Sequence, residues 1–168
     1  VDVSESELPF RYRNRYINEA TPKVSILLRT KAHSQLLQRC LTSVLEKTTY
    51  QNYDITLVEN NSTEQDTFAY YDRIQDQNEK IQVVTWPGTG FNYSAICNYG
   101  AAHCDGEILL FLNNDTVIIN GDWLDSMVGF FARPEVGIVG AKLLFPDNLV
   151  QHCGVWVSAV HVGYLSDM

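Results

Sequence analysis

The sequence predicts an α/β domain in which helices cover both faces of a mostly parallel sheet, so that the chain folds in three layers. From Lys23 onward, short apolar stretches alternate with amphipathic ones over four or five strand–helix steps. Short connections between such steps are typical of parallel strands joined by right-handed crossovers. The apolar stretches at 24–28, 55–58 and 108–112 also end abruptly at polar residues. Ligands of open α/β sheets bind outside the carboxyl ends of the strands, so these three places indicate a binding site.

The first strand–helix step has the clearest pattern. Residues 24–28 are apolar apart from Ser25 and predict a buried strand. The helix that follows is predicted from Ser34, because apolar residues then recur on one face of a period of about 3.6 residues. These residues are Leu36, Leu37, Cys40, Leu41, Val44 and Leu45.

The remaining elements continue the alternation. A second strand covers 55–58, and the stretch from Ser62 to Gln65 has the pattern of a capping box that opens a helix running to about Gln77. Further strands are predicted at 81–85, 108–112, 136–143 and 150–157, and further helices at 93–104 and 123–132. Residues 1–21 are polar and lack periodicity, so they are predicted to be an N-terminal extension or linker before a domain at 22–168.

Composition excludes several classes of protein. A chain of 168 residues with 45% apolar residues has room for a sizeable core and is not disordered. Its formal net charge is -8, from 20 acidic and 12 basic residues, whereas nucleic-acid binding needs a basic surface. No apolar stretch approaches the roughly 20 residues that span a membrane. We therefore expect no nucleic-acid partner and no membrane span.

Cysteine usage predicts the compartment. Cys97 and Cys104 are seven residues apart, which places them two turns apart on a helix and beyond disulfide reach, and no Cys-x-x-Cys pair occurs among these two, Cys40 and Cys153. We therefore expect buried, reduced thiols and a cytoplasmic protein. Peripheral association with the inner face of the membrane is expected only through parts outside this chain.

The three polar strand ends carry the candidate chemistry. They read Arg29-Thr30-Lys31, Glu59-Asn60-Asn61-Ser62 and Asn113-Asn114-Asp115-Thr116. Mg²⁺ prefers oxygen ligands and is typically held by one or two carboxylates together with substrate phosphates, which Asp115 fits. Simpler interpretations stay open: Asp115 caps the following turn, Glu59 is a solvated charge, and Thr30 is an ordinary loop residue.

In order and spacing, these segments resemble the family 2 glycosyltransferases of the GT-A fold. That family commonly has a first strand Val-Ser-Ile-Ile-Ile-Pro-Thr, a second strand ending Val-Asp-Asn-x-Ser, and a small-residue helix before an Asp-x-Asp strand end. The matching stretches here are Val24-Ser-Ile-Leu-Leu-Arg-Thr30, Val58-Glu-Asn-Asn-Ser62 and Asn113-Asn-Asp115. The resemblance covers about residues 23–157, and each motif is specific only in combination with the others.

The resemblance implies a role for each matching position. Thr30 would lie against the nucleobase, and Glu59, which replaces the usual Asp, would accept a hydrogen bond from a base N–H. Asn113 would face the ribose, and Asn114 would complete the nucleotide-binding strand end. Asp115 would bind Mg²⁺ or Mn²⁺ bridging the diphosphate of a UDP-sugar or dTDP-sugar.

The chain departs from the family pattern at several positions. Arg29 stands where Pro is usual, Lys31 where Tyr is common, and Asn113 where the first Asp of the motif is usual. Both cations would lie beside an anionic ligand. The resemblance places the catalytic base in an acceptor-binding half beyond the Asp115 segment, and that half is incomplete in a chain ending at Met168. No residue of this chain is therefore assigned as the base.

Two functions are compatible with these residues. The first is a glycosyltransferase of polysaccharide biosynthesis, metal-dependent and inverting, that moves a sugar from a nucleotide-diphosphate donor to a glycan, lipid-linked or protein acceptor. The second is a non-catalytic nucleotide-sugar-binding module of a larger protein, motivated by Asn113 and by the missing base. Nucleotide binding without turnover would distinguish the second from the first.

Overall fold

The computed structural model describes residues 1–5, 10, 12–32, 34–157 and 162–164. These residues form two compact units, one comprising 19–124 and the other comprising 1–18 together with 125–168. The strands are β1 (Asp2–Glu5), β2 (Tyr12–Arg15), β3 (Val24–Thr30), β4 (Tyr53–Glu59), β5 (Ile81–Thr85), β6 (Ile108–Asn113), β7 (Leu143–Leu144), β8 (Val150–His152), β9 (Val155–Val157) and β10 (Val162–Tyr164). The helices are α1 (Ser34–Lys47), α2 (Gln65–Gln77), α3 (Tyr93–Ala101) and α4 (Trp123–Gly129), with a 3-10 turn at Phe130–Ala132.

The larger unit is built on a four-stranded, wholly parallel sheet in the order β5-β4-β3-β6. The most deeply buried strands, β3 and β4, are central, and Ile26, Leu28, Ile55 and Leu57 have no exposed surface. Strands covered on both faces are nearly continuous apolar runs, which is why these segments lack polar–apolar alternation. The predicted α/β class, with a mostly parallel sheet flanked by helices, is confirmed.

Helices lie against both faces of this sheet. Ile96 of α3 packs on Leu27 of β3 and Val58 of β4, and all three side chains are fully buried. Side chains alternate between the faces of a strand, so Thr30 and Glu59 point to the opposite face from Leu27 and Val58. There the ring of Tyr71 from α2 is buried beside them.

Helix α3 approaches the sheet closely because it carries glycine at the contact. A Cβ atom added to Gly100 would lie 2.5 Å from Cγ2 of Val58 and 2.6 Å from Cδ1 of Leu27. The start of the helix is fixed by Asn92, whose side-chain oxygen accepts a 3.1 Å hydrogen bond from the Ala95 backbone N–H. Such a cap satisfies one of the N–H groups that a helix leaves unpaired at its first turn.

Several predicted elements are wrong in detail. Residues 136–143 were expected to form a central strand, but only Leu143 and Leu144 are in a strand, paired antiparallel with β8, and Ile138 is 92% exposed. Residues 150–157 form two short strands rather than one, interrupted at Gly154, whose φ is 135°. Within the predicted extension, β1 pairs antiparallel with β2, and Tyr16 lies against Phe130, with ring centroids 5.1 Å apart.

The capping box predicted at Ser62–Gln65 is also wrong. Helix α2 begins at Gln65 after Glu64, whose side chain makes no capping hydrogen bond. The Ser62 hydroxyl instead accepts a 3.2 Å hydrogen bond from the backbone N–H of Ala32. Ser62 therefore joins two loops at the strand ends and does not cap a helix.

The cysteine prediction is correct for some residues and wrong for others. All four thiols are free; Cys40 and Cys97 are buried, Cys104 is half-buried, and Cys153 is exposed, contrary to expectation. Burial and the nearby charge of Asp115 raise the pKa of Cys40 from 9.0 to about 11. None of the helices in the described part of the chain is long and apolar enough to cross a membrane.

The raised pKa of Cys40 predicts a loss of stability at alkaline pH. The unfolded thiol releases its proton near pH 9.0, while the folded thiol keeps it to about pH 11. The protonated thiol therefore makes its full contribution to the free energy of unfolding below pH 9 and loses it as the pH rises through 11. Near pH 10.5 the loss is about 2 kcal/mol. Urea unfolding at several pH values should show this decline. The free energy of unfolding should decline less steeply with pH in Cys40→Ala, and an equal slope in both proteins would contradict the raised pKa of Cys40.

Candidate functional site

The three polar strand ends of the larger unit lie next to one another at one edge of the sheet. Thr30 of β3 is in register with Glu59 of β4, and Arg29 of β3 is in register with Asn113 of β6. Asn114 and Asp115 form the turn directly after β6. The structure therefore brings together all five residues predicted for the site: Thr30, Glu59, Asn113, Asn114 and Asp115.

Glu59 is buried and organises the loop that follows β4. Its side chain is only 2% exposed, and Oε1 accepts a short hydrogen bond from the backbone N–H of Ser62. The same loop is held to β3, because the Asn60 N–H donates to the Thr30 carbonyl oxygen at 3.0 Å. The alternative in which Glu59 is a solvated strand-end charge is wrong. A carboxylate that accepts a backbone N–H is positioned by charge-assisted hydrogen bonding.

The Thr30 hydroxyl is buried without a hydrogen-bond partner among the described residues. Thr30 is 4% exposed, and the buried Tyr71 hydroxyl beside it likewise has no hydrogen bond there. Burial raises the pKa of Tyr71, and the neighbouring hydroxyls of Thr30 and Ser62 oppose this rise. A buried polar atom without a partner costs about 1–3 kcal/mol, which a ligand that supplies a partner would recover.

Arg29 occupies the opposite face of the same strand end. Its Nη2 donates a 2.6 Å hydrogen bond to Oδ1 of Asn113, and its guanidinium carbon lies 3.9 Å from the ring centroid of Tyr93. Tyr93 is the first residue of α3 and is 49% exposed. The positive charge thus lies at the carboxyl end of β3, in contact with β6 and α3 together.

A third loop completes this edge of the sheet. The Asn61 amide donates to the Gly88 carbonyl oxygen at 3.0 Å, and the Trp86 N–H donates to the Glu59 carbonyl oxygen at 2.9 Å. Asn61 itself has a φ of 56°, a left-handed conformation that asparagine tolerates better than most residues. The loops after β3, β4 and β5 are therefore joined by hydrogen bonds within the larger unit.

Asp115 presents an exposed carboxylate at the end of β6. Its side chain makes no hydrogen bond with any residue that the structure describes, and the turn closes through the Thr116 N–H and the Asn113 carbonyl oxygen at 3.3 Å. Asp115 thus does not cap the turn. Nowhere in the described ranges do three or more His, Cys, Asp or Glu side chains form a cluster that could hold a metal ion. One free carboxylate fits a cation whose remaining ligands are phosphate oxygens and water.

The sequence did not reveal how Ser62 and Tyr93 support this site. Ser62 was assigned to a helix cap, and Tyr93 to an ordinary first helical turn, because both assignments use local pattern alone. Asn61 offered a usable signal, since Asn followed by Ser after a buried strand is typical of a shaped loop.

A parallel sheet with flanking helices and polar loops at the ends of its central strands is the architecture of GT-A glycosyltransferases, and solved structures of that class share this fold. The mannosyltransferase PcManGT from Pyrobaculum calidifontis, in complex with GDP-Man and Mn²⁺, matches with a TM-score of 0.65 and 21% identity, over 76% of this chain and 37% of that chain. S. aureus TarS 1-349, in complex with UDP-GlcNAc, matches with a TM-score of 0.55 and 20% identity, over 66% of this chain and 31% of that chain.

The chain belongs to glycosyl transferase family 2, whose family model matches residues 25–150. Among curated proteins, the O-antigen biosynthesis protein RfbC of Myxococcus xanthus is 45% identical over 152 residues. That match covers 90% of this chain and 12% of RfbC, so the chain spans about one eighth of this relative.

Proposed function

We propose that this chain binds a nucleotide-diphosphate sugar at the carboxyl ends of β3, β4 and β6 and takes part in transferring the sugar to an acceptor. The observation that supports this most is the register of the strand ends, which sets Thr30 beside Glu59 and Arg29 beside Asn113. Membership of glycosyl transferase family 2 supports the same reaction class. Two of the matching structures hold GDP-Man and UDP-GlcNAc respectively, both nucleotide-diphosphate sugars.

Each residue at the strand ends would bind a different part of the donor. Thr30 and Glu59 would meet the base: the buried hydroxyl would gain a partner, and the carboxylate would accept a base N–H, as uracil or thymine offers. This pairing accords with a UDP-sugar or dTDP-sugar donor. Asn113 and Asn114 would bind the ribose and the adjoining phosphate through amide hydrogen bonds.

Asp115 would hold Mg²⁺ or Mn²⁺ together with the diphosphate. The cation would stabilise the negative charge that develops on the departing nucleoside diphosphate. Asp115 fits this role because its carboxylate is exposed and makes no hydrogen bond with the described residues. A carboxylate outside this chain would act as the general base and remove the proton of an acceptor hydroxyl. The hydroxyl oxygen would then displace the nucleoside diphosphate in one step, with inversion at the anomeric carbon.

The acceptor is proposed to be a glycan, lipid-linked or protein hydroxyl of polysaccharide biosynthesis. The name of the Myxococcus xanthus relative, an O-antigen biosynthesis protein, supports a surface polysaccharide in particular. A cytoplasmic location, at or near the inner face of the membrane, accords with a soluble nucleotide-sugar donor.

Calorimetry with UDP, dTDP and GDP, each with and without Mn²⁺, tests the proposal on this chain. We expect UDP or dTDP to bind, and Mn²⁺ to increase the affinity. If none of the three nucleotides binds under either condition, the proposal is wrong. Binding without donor hydrolysis, measured in the longest protein that carries this chain, would favour a non-catalytic nucleotide-sugar-binding module.

A further inference from the structure

The guanidinium of Arg29 is held in place by neutral groups. Its Nη2 donates to the amide oxygen of Asn113 at 2.6 Å, and the ring of Tyr93 covers one face at 3.9 Å. Within the described ranges, no carboxylate lies in ion-pair contact with Arg29. The side chain is thus fixed in position while its positive charge stays uncompensated.

Two other cations of the chain show the contrasting arrangement. Lys23 contacts Asp54 at 2.7 Å and Asp105 at 2.5 Å, and Arg133 contacts Glu135 at 2.5 Å. These charges are matched by carboxylates and belong to the protein's own ion pairs. A structural role alone would be served equally well by an aspartate at position 113, which would pair with Arg29.

Most of the Arg29 guanidinium is not engaged by the hydrogen bond to Asn113. A guanidinium carries five N–H donors in one plane, and the bond to Asn113 engages one of its two terminal nitrogens. Arg29 is half-buried between the exposed side chains of Asn113 and Tyr93. Such a planar fork matches two oxygens of a phosphate, and partial burial strengthens the attraction.

We propose that Arg29 is a phosphate-binding residue of this site, oriented by Asn113 and Tyr93, and that the amide at position 113 serves to keep its charge available for the diphosphate. This inference rests on the proposed nucleotide-sugar function and deepens it. Arg29 would neutralise part of the negative charge of the diphosphate, and a cation at Asp115 would neutralise the rest. The chain should therefore retain measurable affinity for UDP without any metal.

Binding of UDP and of inorganic pyrophosphate in EDTA, and again in Mn²⁺, tests the assignment. Arg29→Gln should weaken both ligands in EDTA by about 10- to 100-fold, the range expected for a lost hydrogen bond to a charged group. Pyrophosphate lacks a base, so an equal loss for both ligands identifies a phosphate contact. Arg73→Gln is the matched control, because Arg73 also lies over a tyrosine ring, that of Tyr70 at 5.4 Å, but near the far end of α2.

Asn113→Asp provides a second test that preserves the shape of the side chain. The new carboxylate would pair with Arg29 and cancel its charge, so affinity in EDTA should fall about 10-fold. The same carboxylate stands beside Asp115, so stimulation by Mn²⁺ should increase. If the Arg29–Asn113 contact only held the structure together, Asn113→Asp would neither lower the affinity in EDTA nor increase the stimulation by Mn²⁺. Melting temperatures within a few degrees of the parent chain would show that both variants fold.

The outcomes separate this inference from the proposed function. If the parent chain binds UDP in Mn²⁺ but not in EDTA, or if Arg29→Gln and Asn113→Asp bind like Arg73→Gln, the role of Arg29 is overturned and the nucleotide site stands. If the parent chain binds neither ligand in either buffer, the proposed function itself fails. A loss for UDP without a loss for pyrophosphate would place Arg29 on the nucleoside instead and would also overturn the assignment.

Discussion

Replacing Asp115 with alanine is expected to abolish the stimulation of UDP binding by Mn²⁺. Its carboxylate is exposed, makes no hydrogen bond with the described residues, and stands at the end of β6 beside Asn113. One carboxylate with phosphate oxygens and water is a usual ligand set for such a cation, so its loss removes the protein's contribution to the metal. Affinity in EDTA should change little, because Arg29 is untouched. Calorimetry in both buffers measures the two effects separately.

The stability of the Asp115→Ala protein should be nearly unchanged. Exposed side chains without structural partners contribute within about 0.5 kcal/mol when replaced, so the melting temperature should move by only a few degrees. Asp76→Ala is a suitable control: Asp76 is exposed near the end of α2 and carries the same charge, so it corrects for the change in net charge. Equal Mn²⁺ stimulation in both variants would remove the metal role from Asp115.

Gly100→Val is expected to destabilise the larger unit strongly. Even a Cβ would lie 2.5 Å from Val58 and 2.6 Å from Leu27, and the two further methyl groups of valine have no space between α3 and the sheet. Overpacking of a fully buried contact costs about 1–3 kcal/mol, and we expect the upper part of that range. Urea unfolding would measure this loss as a lower midpoint.

Gly140→Val is the matched control for this substitution. A Cβ at Gly140 meets no atom within 4 Å, and the residue is exposed. The same chemical change should therefore alter the free energy of unfolding by less than about 0.5 kcal/mol. If both variants unfolded at the same urea concentration, the close packing of α3 on the sheet would not be the reason for the glycine at position 100.

The central part of the fold was predictable because its signals are local and strong. The strand at 81–85 was predicted with the bounds that the structure shows, and β3, β4 and β6 extend the predicted strands by one to three residues. Helix α1 begins at Ser34, as its apolar period indicated. In these segments burial on both faces and helical amphipathicity each leave a distinct pattern in the sequence.

The region at 136–143 was predicted poorly because some of its apolar residues are exposed rather than buried. Residues 136–143 are apolar enough for a central strand, yet Ile138 is almost fully exposed and no ladder forms before Leu143. Strand formation depends on a neighbouring strand as well as on composition, and the sequence of one segment does not reveal its partner. Hydrophobicity alone was therefore misleading at this point.

Within the site, the sequence predicted which residues meet but not how they are held. The convergence of Thr30, Glu59 and the 113–115 segment follows from parallel topology, which sets all strand ends at one edge. The contact between Arg29 and Asn113 spans 84 positions and depends on β6 pairing with β3, a choice that no local pattern determines. The interaction of Ser62 with Glu59 was hidden by an equally good match to a helix cap.

Because β6 is an edge strand, the part of the nucleotide site at its end should unfold locally more easily than the part at the ends of β3 and β4. β3 and β4 each pair with strands on both sides, whereas β6 pairs with β3 alone in the described sheet and leaves Leu109 and Phe111 at 40% and 52% exposure. Edge segments with few buried contacts undergo local fluctuations at lower free energy than central ones. Amide hydrogen exchange should accordingly be faster along β6 than along β3 and β4. The end that carries Asp115 would fray on warming while the base-binding end around Thr30 and Glu59 still keeps its shape.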